Sequence, residues 1–326
     1  MQELIKLCTA VSCFSSDSYF GRNLDYEYSF DENVIIIPRN FIFKFKEQKQ
    51  LPEHYAIIGV GIKQENYPLM FDCMNEHGLA FAGLNFPHNA VYNDYKSDSL
   101  NLAPYELPLW ILAKYKTVRE IIPVLEDVNL LNIPFSSKYP LTPLHFTFAD
   151  KKEMIVFEVT ENGNEIYYNE LNTLTNNPVF SVMSEEMNKY IGLSVRNPVY
   201  SENDIYESNG LGGLGLPGDY SSRSRFVRAV FNNKNMKKYC NNSYDVVQFF
   251  HLLNSVYQLE GCVETKNGGL SKTIYSSCMN LNTGDLYYTT YENTQVKCLS
   301  LHRENLDSEE LKVYPLIKTP CFLYGN

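Results

Sequence analysis

Eight cysteines occur in the chain, at positions 8, 13, 73, 240, 262, 278, 298 and 321, and one of them is placed for chemistry. Cys8 heads the run Cys8-Thr9-Ala10-Val11, and Phe20-Gly21-Arg22-Asn23-Leu24-Asp25 follows shortly after. In a chain that starts at Met1, a thiol at this place is an ordinary small apolar side chain. If residues 1–7 are removed, or never translated, Cys8 becomes the first residue. It then carries a thiol and a free α-amino group on one carbon skeleton. An α-amine titrates at about 7.7–8.0, close to working pH, and can take up the thiol proton. The general base is then built into the nucleophile's own residue. Leu7 stands directly before Cys8. A start assigned seven codons early would leave initiator methionine where Leu7 is written.

The other chemical signals in the sequence are weaker. Gly210, Gly212 and Gly215 form a formal GxGxxG. A dinucleotide loop needs a strand before it and a helix opening inside it. Here polar residues precede it and Pro217-Gly218 follows at once, so the segment reads as a loop leading into a helix near Ser222. The six histidines show no i, i+4 pair and no HExxH, which gives a zinc site no support. His145, beside Leu144 and Phe146, reads as a hydrogen-bonded core histidine. No GxSxG is present, so an esterase-type serine has no support. No CxxC is present either, and the scattered cysteines read as buried apolar residues.

The composition describes the body that must hold Cys8 in place. The chain has 326 residues, 44% of them hydrophobic and 20% charged, enough for one large domain with a real core. Aromatic content is 14%, carried by 25 Tyr and 19 Phe against the single Trp110. The formal net charge of −10 argues against general affinity for nucleic acid or anionic membranes, but not against a small anion held by local arginines. The first seven residues are too short for a signal peptide and contain Glu3, and no run reaches the 18 apolar residues of a membrane span. A soluble, cytoplasmic protein is expected.

Strand signals dominate both ends. Thr9–Cys13, Val34–Ile37, Tyr55–Ile62, Ala80–Leu84, His145–Phe148 and Met154–Thr160 are β-prone. Phe41, Phe43 and Phe45 alternate with Ile42 and Lys44, a period of two. Ser276–Asn280 and Leu286–Tyr291 flank the turn Asn282-Thr283-Gly284-Asp285 as a hairpin. Helices are predicted over Pro104–Tyr115, Thr117–Val128, Ser222–Phe231 and Tyr244–Tyr257. Thr117 is the N-cap of the second, with Glu120 three residues on. Residues 197–209 read as a polar loop. The order of strands and helices predicts an α+β architecture of antiparallel sheets with helices on the outer faces.

At this point the residues resemble a known family. Cys8-Thr9-Ala10 followed by Phe20-Gly21-Arg22-Asn23-Leu24-Asp25-Tyr26 resembles the choloylglycine hydrolases, the bile salt hydrolases and penicillin V acylases. The likeness continues through Ile37-Pro38-Arg39-Asn40-Phe41, Asn75-Glu76-His77-Gly78-Leu79 and Gly83-Leu84-Asn85-Phe86-Pro87. Leu174-Thr175-Asn176-Asn177-Pro178, Gly215-Leu216-Pro217-Gly218-Asp219, Ser224-Arg225-Phe226, Tyr275–Met279 and Thr290–Asn293 complete it. It covers residues 8 to 317, with the motifs in family order.

The resemblance implies an N-terminal nucleophile amidase built as a four-layer αββα sandwich of two antiparallel sheets flanked by helices. Residues 1–7 are then a leader, 8–317 a single catalytic domain and 318–326 a C-terminal extension. Cys8 is the implied nucleophile, and Arg22 favours its thiolate. Asp25 orients the α-amine, Asn85 and Asn176 contribute to an oxyanion hole, and Arg225 completes the polar cluster. Each has a plainer structural reading: an Arg22–Asp25 salt bridge, turns at Asn85 and Asn176, a solvated Arg225. The implied substrates are glycine- or taurine-conjugated bile salts, which need an aromatic-lined pocket; Tyr26, Tyr28, Phe30, Phe81 and Phe135 are the candidates. Penicillin V and acyl-homoserine lactones are alternative substrates, and a non-catalytic amphiphile-binding relative is the alternative of another class. The family implies no cofactor or metal, and a homo-oligomer, usually a tetramer.

Overall fold

The computed structural model describes residues 7–198 and 208–326. Residues 1–6 of the expected leader and 199–207 of the expected polar loop lie outside the described residues.

Two antiparallel sheets form the centre. In one, the strand order is β12 (Thr173–Leu174), β1 (Leu7–Phe14), β2 (Ser18–Tyr26), β13 (Lys272–Asn280), β14 (Asp285–Thr290) and β15 (Lys297–Ser300). The other runs β11 (Gly163–Tyr168), β10 (Met154–Thr160), β9 (Leu144–Ala149), β6 (Ala80–Asn85), β5 (Tyr67–Asn75), β4 (Ile57–Gln64), β3 (Asn33–Ile37) and β16 (Lys312–Pro315). A short parallel pair, β7 (Leu100–Leu102) and β8 (Val128–Leu130), stands apart.

Side chains alternate across a strand, and here both faces of both sheets are apolar. Cys8, Ala10, Phe20 and Leu24 from the first sheet meet Met74, Ala80, Ala82, Leu84 and Val156 from the second. On the far side of the second sheet, Phe81, Phe146 and Phe157 pack under α1 (Leu107–Lys114) and α2 (Val118–Asp127). On the far side of the first, Val11, Cys13 and Tyr19 pack under α4 (Ser222–Asn235) and α5 (Asn242–Asn254). The short α3 (Phe180–Glu186) packs against α4. The result is the expected αββα sandwich. Each Leu, Ile or Phe buried in these layers contributes about 1.5–3 kcal/mol.

Local sequence accounts for the helix starts. Thr117 caps α2 by accepting from Glu120 N, and the Glu120 carboxylate accepts from Lys116 N at 2.7 Å. Ser221 caps α4, accepting from Ser224 N. α1 starts at Leu107, not at Pro104, because the Glu106 carboxylate accepts from Ala103 N (2.9 Å) and Lys46 N (2.7 Å), which holds residues 103–106 in a turn.

Three expectations need correction. Phe41, Phe43 and Phe45 do alternate inward, but they form no strand. Phe43 makes one isolated bridge to Leu51, and the rings serve as packing, with Phe45 edge-on to Trp110. The cysteines are not uniformly buried: Cys240, Cys262, Cys298 and Cys321 are exposed, because they sit on loops and an edge strand. β2 was not anticipated at all, since Gly21, Arg22, Asn23 and Asp25 mask its strand character. It is fully buried because it lies between β1 and β13.

Candidate active site

β1 and β2 are neighbours in register, with Cys8 opposite Leu24, Ala10 opposite Arg22 and Leu7 opposite Asp25. Arg22 and Asp25 are an odd number of residues apart, so they leave β2 on opposite faces. Arg22 points between the sheets, with Phe20 and Leu24. Asp25 points toward the α4/α5 layer, with Tyr19. The Arg22 guanidinium therefore bonds elsewhere: Nη1 donates to Gly83 O at 2.7 Å and to Phe71 O at 3.2 Å.

Both acceptors owe their freedom to the second sheet. The β5–β6 ladder ends at Asp72 opposite Ala82, so Phe71 and Gly83 lie just beyond it. A bulge between β4 and β5 also leaves Phe71 without a partner there, since Val60 pairs with Asp72 and Gly61 with Met70. Arg22 thus enters the gap where β5 and β6 part. It is 1% exposed. Burial alone would lower its proton affinity, but Cys8, Tyr275, Asp72 and Asp25 outweigh this and shift it upward.

Asn176 organises the other side of Cys8. Its Oδ1 accepts from Cys8 N at 2.9 Å and from Arg225 Nη2 at 2.8 Å. Its side-chain amide donates to Asn85 O at 2.9 Å, and its own backbone N–H donates to Ser222 Oγ at 2.9 Å. The amide orientation follows from these partners, since a carbonyl can only accept and a guanidinium can only donate. Arg225, in the first turn of α4, also donates to Cys8 O (2.5 Å), Thr9 Oγ1 (2.7 Å) and Tyr220 O (3.0 Å). It is completely buried.

Asp25 is also completely buried. Its Oδ1 accepts from Thr273 Oγ1 at 2.7 Å, and its Oδ2 has no partner among the described residues. Burial pushes its carboxyl up to about 6, against the opposing pull of Arg225, the Thr273 hydroxyl and Arg22.

The structure therefore gathers Cys8, Arg22, Asp25, Asn85, Asn176 and Arg225 from five segments, and the plainer readings of Arg22 and Arg225 do not hold. Neither is a solvated or simply paired surface group. In this chain Cys8 is 1% exposed and its nitrogen is a peptide nitrogen, because β1 begins at Leu7.

The aromatic candidates divide. Tyr26, Tyr28 and Phe30 pack together at ring distances of 4.7–5.2 Å, and Phe30 reaches Phe71, whose carbonyl holds Arg22. Phe135 belongs to another cluster, with Tyr67, Tyr105 and Tyr139. Phe81 is a correction: it lies 2% exposed against Phe146 and Phe148 on the face of β6 away from Cys8, because the alternation that turns Ala80 and Ala82 inward turns it outward.

Thr9, Ser222 and Thr273 have no site role in the sequence reading, although each touches a site residue. Ser222 lies two residues before the Ser224-Arg225-Phe226 motif, the only signal that could have found it. His145 holds the same segment from behind. Its two ring nitrogens meet Glu158 Oε1 and Thr175 O, each at 2.9 Å, and its ring stacks on Phe86, as a core histidine should. A surface cavity of about 580 Å³ lined by Arg39, Glu53, Glu76, His77 and Lys114 contains none of the site residues. The candidate residues meet in the hydrogen-bonded cluster and not in that cavity.

A family model described as linear amide C–N hydrolases, choloylglycine hydrolase family, matches residues 8–314. A curated bile salt hydrolase/transferase from Lactiplantibacillus plantarum is 46% identical over 314 residues, 95% of this chain and 97% of that protein. The crystal structure of an alanine-for-cysteine mutant of the conjugated bile acid hydrolase from Clostridium perfringens has a TM-score of 0.92 at 36% identity, covering 98% of this chain and all of that one. A penicillin V acylase from Agrobacterium tumefaciens has the same fold, with a TM-score of 0.75 at 19% identity, covering 94% of this chain and 90% of that one.

Proposed function

This chain belongs to the choloylglycine hydrolase family of linear amide C–N hydrolases, and from that premise we propose that it hydrolyses glycine- and taurine-conjugated bile salts. The supporting observation is the buried contact set around Cys8: Asn176 on its nitrogen, Arg225 on its carbonyl, and an Asp25 oxygen without a partner among the described residues. The active form begins at Cys8, residues 8–317 being one catalytic domain after a leader. Removal of residues 1–7 converts the peptide nitrogen into an amine. Asn176 Oδ1 then accepts from that amine, and Asp25 Oδ2 stands as its second acceptor.

The thiol passes its proton to the α-amine, and the thiolate forms a C–S bond to the amide carbonyl. Arg22 favours the thiolate. Asn85 and Asn176 supply N–H donors to the oxyanion. The C–N bond breaks as the α-ammonium returns its proton to the leaving nitrogen, and glycine or taurine departs. Water, deprotonated by the same amine, then cleaves the thioester, releasing the bile acid and restoring the thiol. Tyr26, Tyr28, Phe30 and Phe135 line the steroid's path. The working assembly is a cytoplasmic homotetramer.

Intact-mass measurement combined with amine release from glyco- and tauro-conjugates tests the reading. Active protein should start at Cys8, and Cys8→Ala should lower turnover by about 10⁴-fold or more while still binding the steroid. Full activity in a chain still starting at Met1, or in Cys8→Ala, would overturn it. Binding with no turnover in the Cys8-initiated protein would identify a non-catalytic relative.

A further inference from the structure

One buried carboxylate near the site has no part in the mechanism above. Asp72, on β5, is completely buried in the space between the sheets. Both its oxygens are taken by hydroxyls from the opposite sheet. Tyr275 OH donates to Oδ1, and Ser277 Oγ donates to Oδ2 at 2.7 Å. Ser277 Oγ in turn accepts from the backbone N–H of Arg22 at 3.3 Å. Phe71, the residue directly before Asp72, lends its carbonyl to the Arg22 side chain. Asp72 is therefore linked to Arg22 twice, through Ser277 on β13 and through the bulge on β5.

Charge explains why a carboxylate belongs there. A buried guanidinium whose hydrogen bonds go to carbonyls alone is an uncompensated cation between two apolar faces, and such a charge is costly. Arg22 Nη2 has no hydrogen-bond partner among the described residues. We propose that Asp72 is the charge-balancing partner of Arg22, a positioning residue that makes the field at Cys8 that of an ion pair and not of a bare cation. The assignment rests on the proposed role of Cys8 and Arg22. The charged and titratable groups around this centre are Cys8 on β1, Tyr275 on β13 and Glu32 near Tyr275, with Asp25 on β2 and Arg225 on α4 acting from the other face of the first sheet. Burial raises the Asp72 carboxyl above its ordinary value, and Arg22, Tyr275 and Ser277 oppose that shift without cancelling it.

The test compares wild type with Asp72→Asn and Tyr275→Phe, each as the chain that begins at Cys8, by three measurements. These are the pH profile of Cys8 alkylation by iodoacetamide, located by peptide mass; kcat and KM for a glyco-conjugate; and thermal melting. Asp72→Asn leaves Arg22 unbalanced, so the alkylation profile should shift toward acid by about one pH unit, and alkylation at a fixed acidic pH should be about threefold faster, the roughly tenfold gain in thiolate being partly offset by its weaker nucleophilicity. kcat should fall about threefold for the same reason, with KM changed less than about twofold. Tyr275→Phe keeps the charge but loses one donor, and should shift the profile the same way by less. If Asp72→Asn does not fold, Tyr275→Phe carries the test. A lowered melting temperature with an unmoved alkylation profile would make Asp72 purely structural and overturn the inference. So would an alkaline shift, which would mean that Asp72 only holds Arg22 in place. The alkylation profile does not depend on amidase activity, so an absent turnover in wild type would count against the proposed function alone.

Discussion

At Asp25, one carboxylate oxygen accepts the Thr273 hydroxyl while the other meets no partner among the described residues, and the carboxyl is pushed up to about 6 by burial. An unfolded Asp titrates at about 3.9. The folded chain therefore binds more protons between those two values, and stability falls as pH rises through the folded value. The cost is fully present at pH 7 and absent below about pH 4. A displacement of about two pH units corresponds to about 3 kcal/mol. Asp25→Asn should thus melt several degrees above wild type at pH 7, and level with it at pH 4, while turnover is lost. Equal melting differences at both pH values would show that ionised Asp25 carries no such cost. In the proposed mechanism an α-ammonium on Cys8 is the partner of that oxygen, so the wild-type cost should shrink in the chain that begins at Cys8. The residue types were legible in the sequence, because Cys8, Arg22 and Asp25 stand in one short stretch. Their directions were not: the spacing suggested a salt bridge, and the strand turned the two side chains apart.

β2 carries Arg22 and Asp25, and it tolerates no bulk at Gly21. A Cβ there would lie 1.9 Å from Ser277 O, in the backbone of β13, which cannot move without breaking the ladder. Gly21→Ala should therefore cost more than about 3 kcal/mol, seen as a large drop in melting temperature or loss of folded protein; a wild-type melt would refute the close approach. α4 holds Arg225 in its first turn, and Ser221 caps it. Ser221→Ala should cost about 1 kcal/mol by denaturant titration, and should also lower kcat, since the cap fixes the turn that aims Arg225 at Cys8 O. An unchanged kcat would separate the cap from the site. Regular elements were readable where one period dominated, as in Val34–Ile37 or the capped α2. β2 was hidden because its polar residues meet their partners on a helix and a strand distant in sequence: Asn23 at Leu253 O of α5 and Ser276 of β13, Asp25 at Thr273 of β13.

Across the whole molecule, the four layers sort the cysteines by accessibility. In the folded chain that includes residues 1–7, Cys240, Cys262 and Cys321 should react fast with a thiol reagent, and Cys298 more slowly, because partial burial raises its thiol. Cys13, Cys73 and Cys278 should react only on unfolding, since burial raises each of them. Cys8 should join the fast group only when residues 1–7 are gone, and uniform reactivity of all eight would contradict the layering. The sequence by itself determined antiparallel sheets with helices on their outer faces, because apolar periodicity survives without any knowledge of distant contacts, and the family resemblance of its local motifs implied the four-layer sandwich and the polar residues of the site. The tertiary structure alone decided which of those residues meet. Cys8 and Asn176 are 168 positions apart, and Cys8 and Arg225 are 217 apart. Only the closing of β1 against β12 and α4 brings them within hydrogen-bond reach. The same closure removed Phe81 from the site and brought Asp72 beside it, since the face of a strand that a residue occupies is fixed by sheet register and bulges.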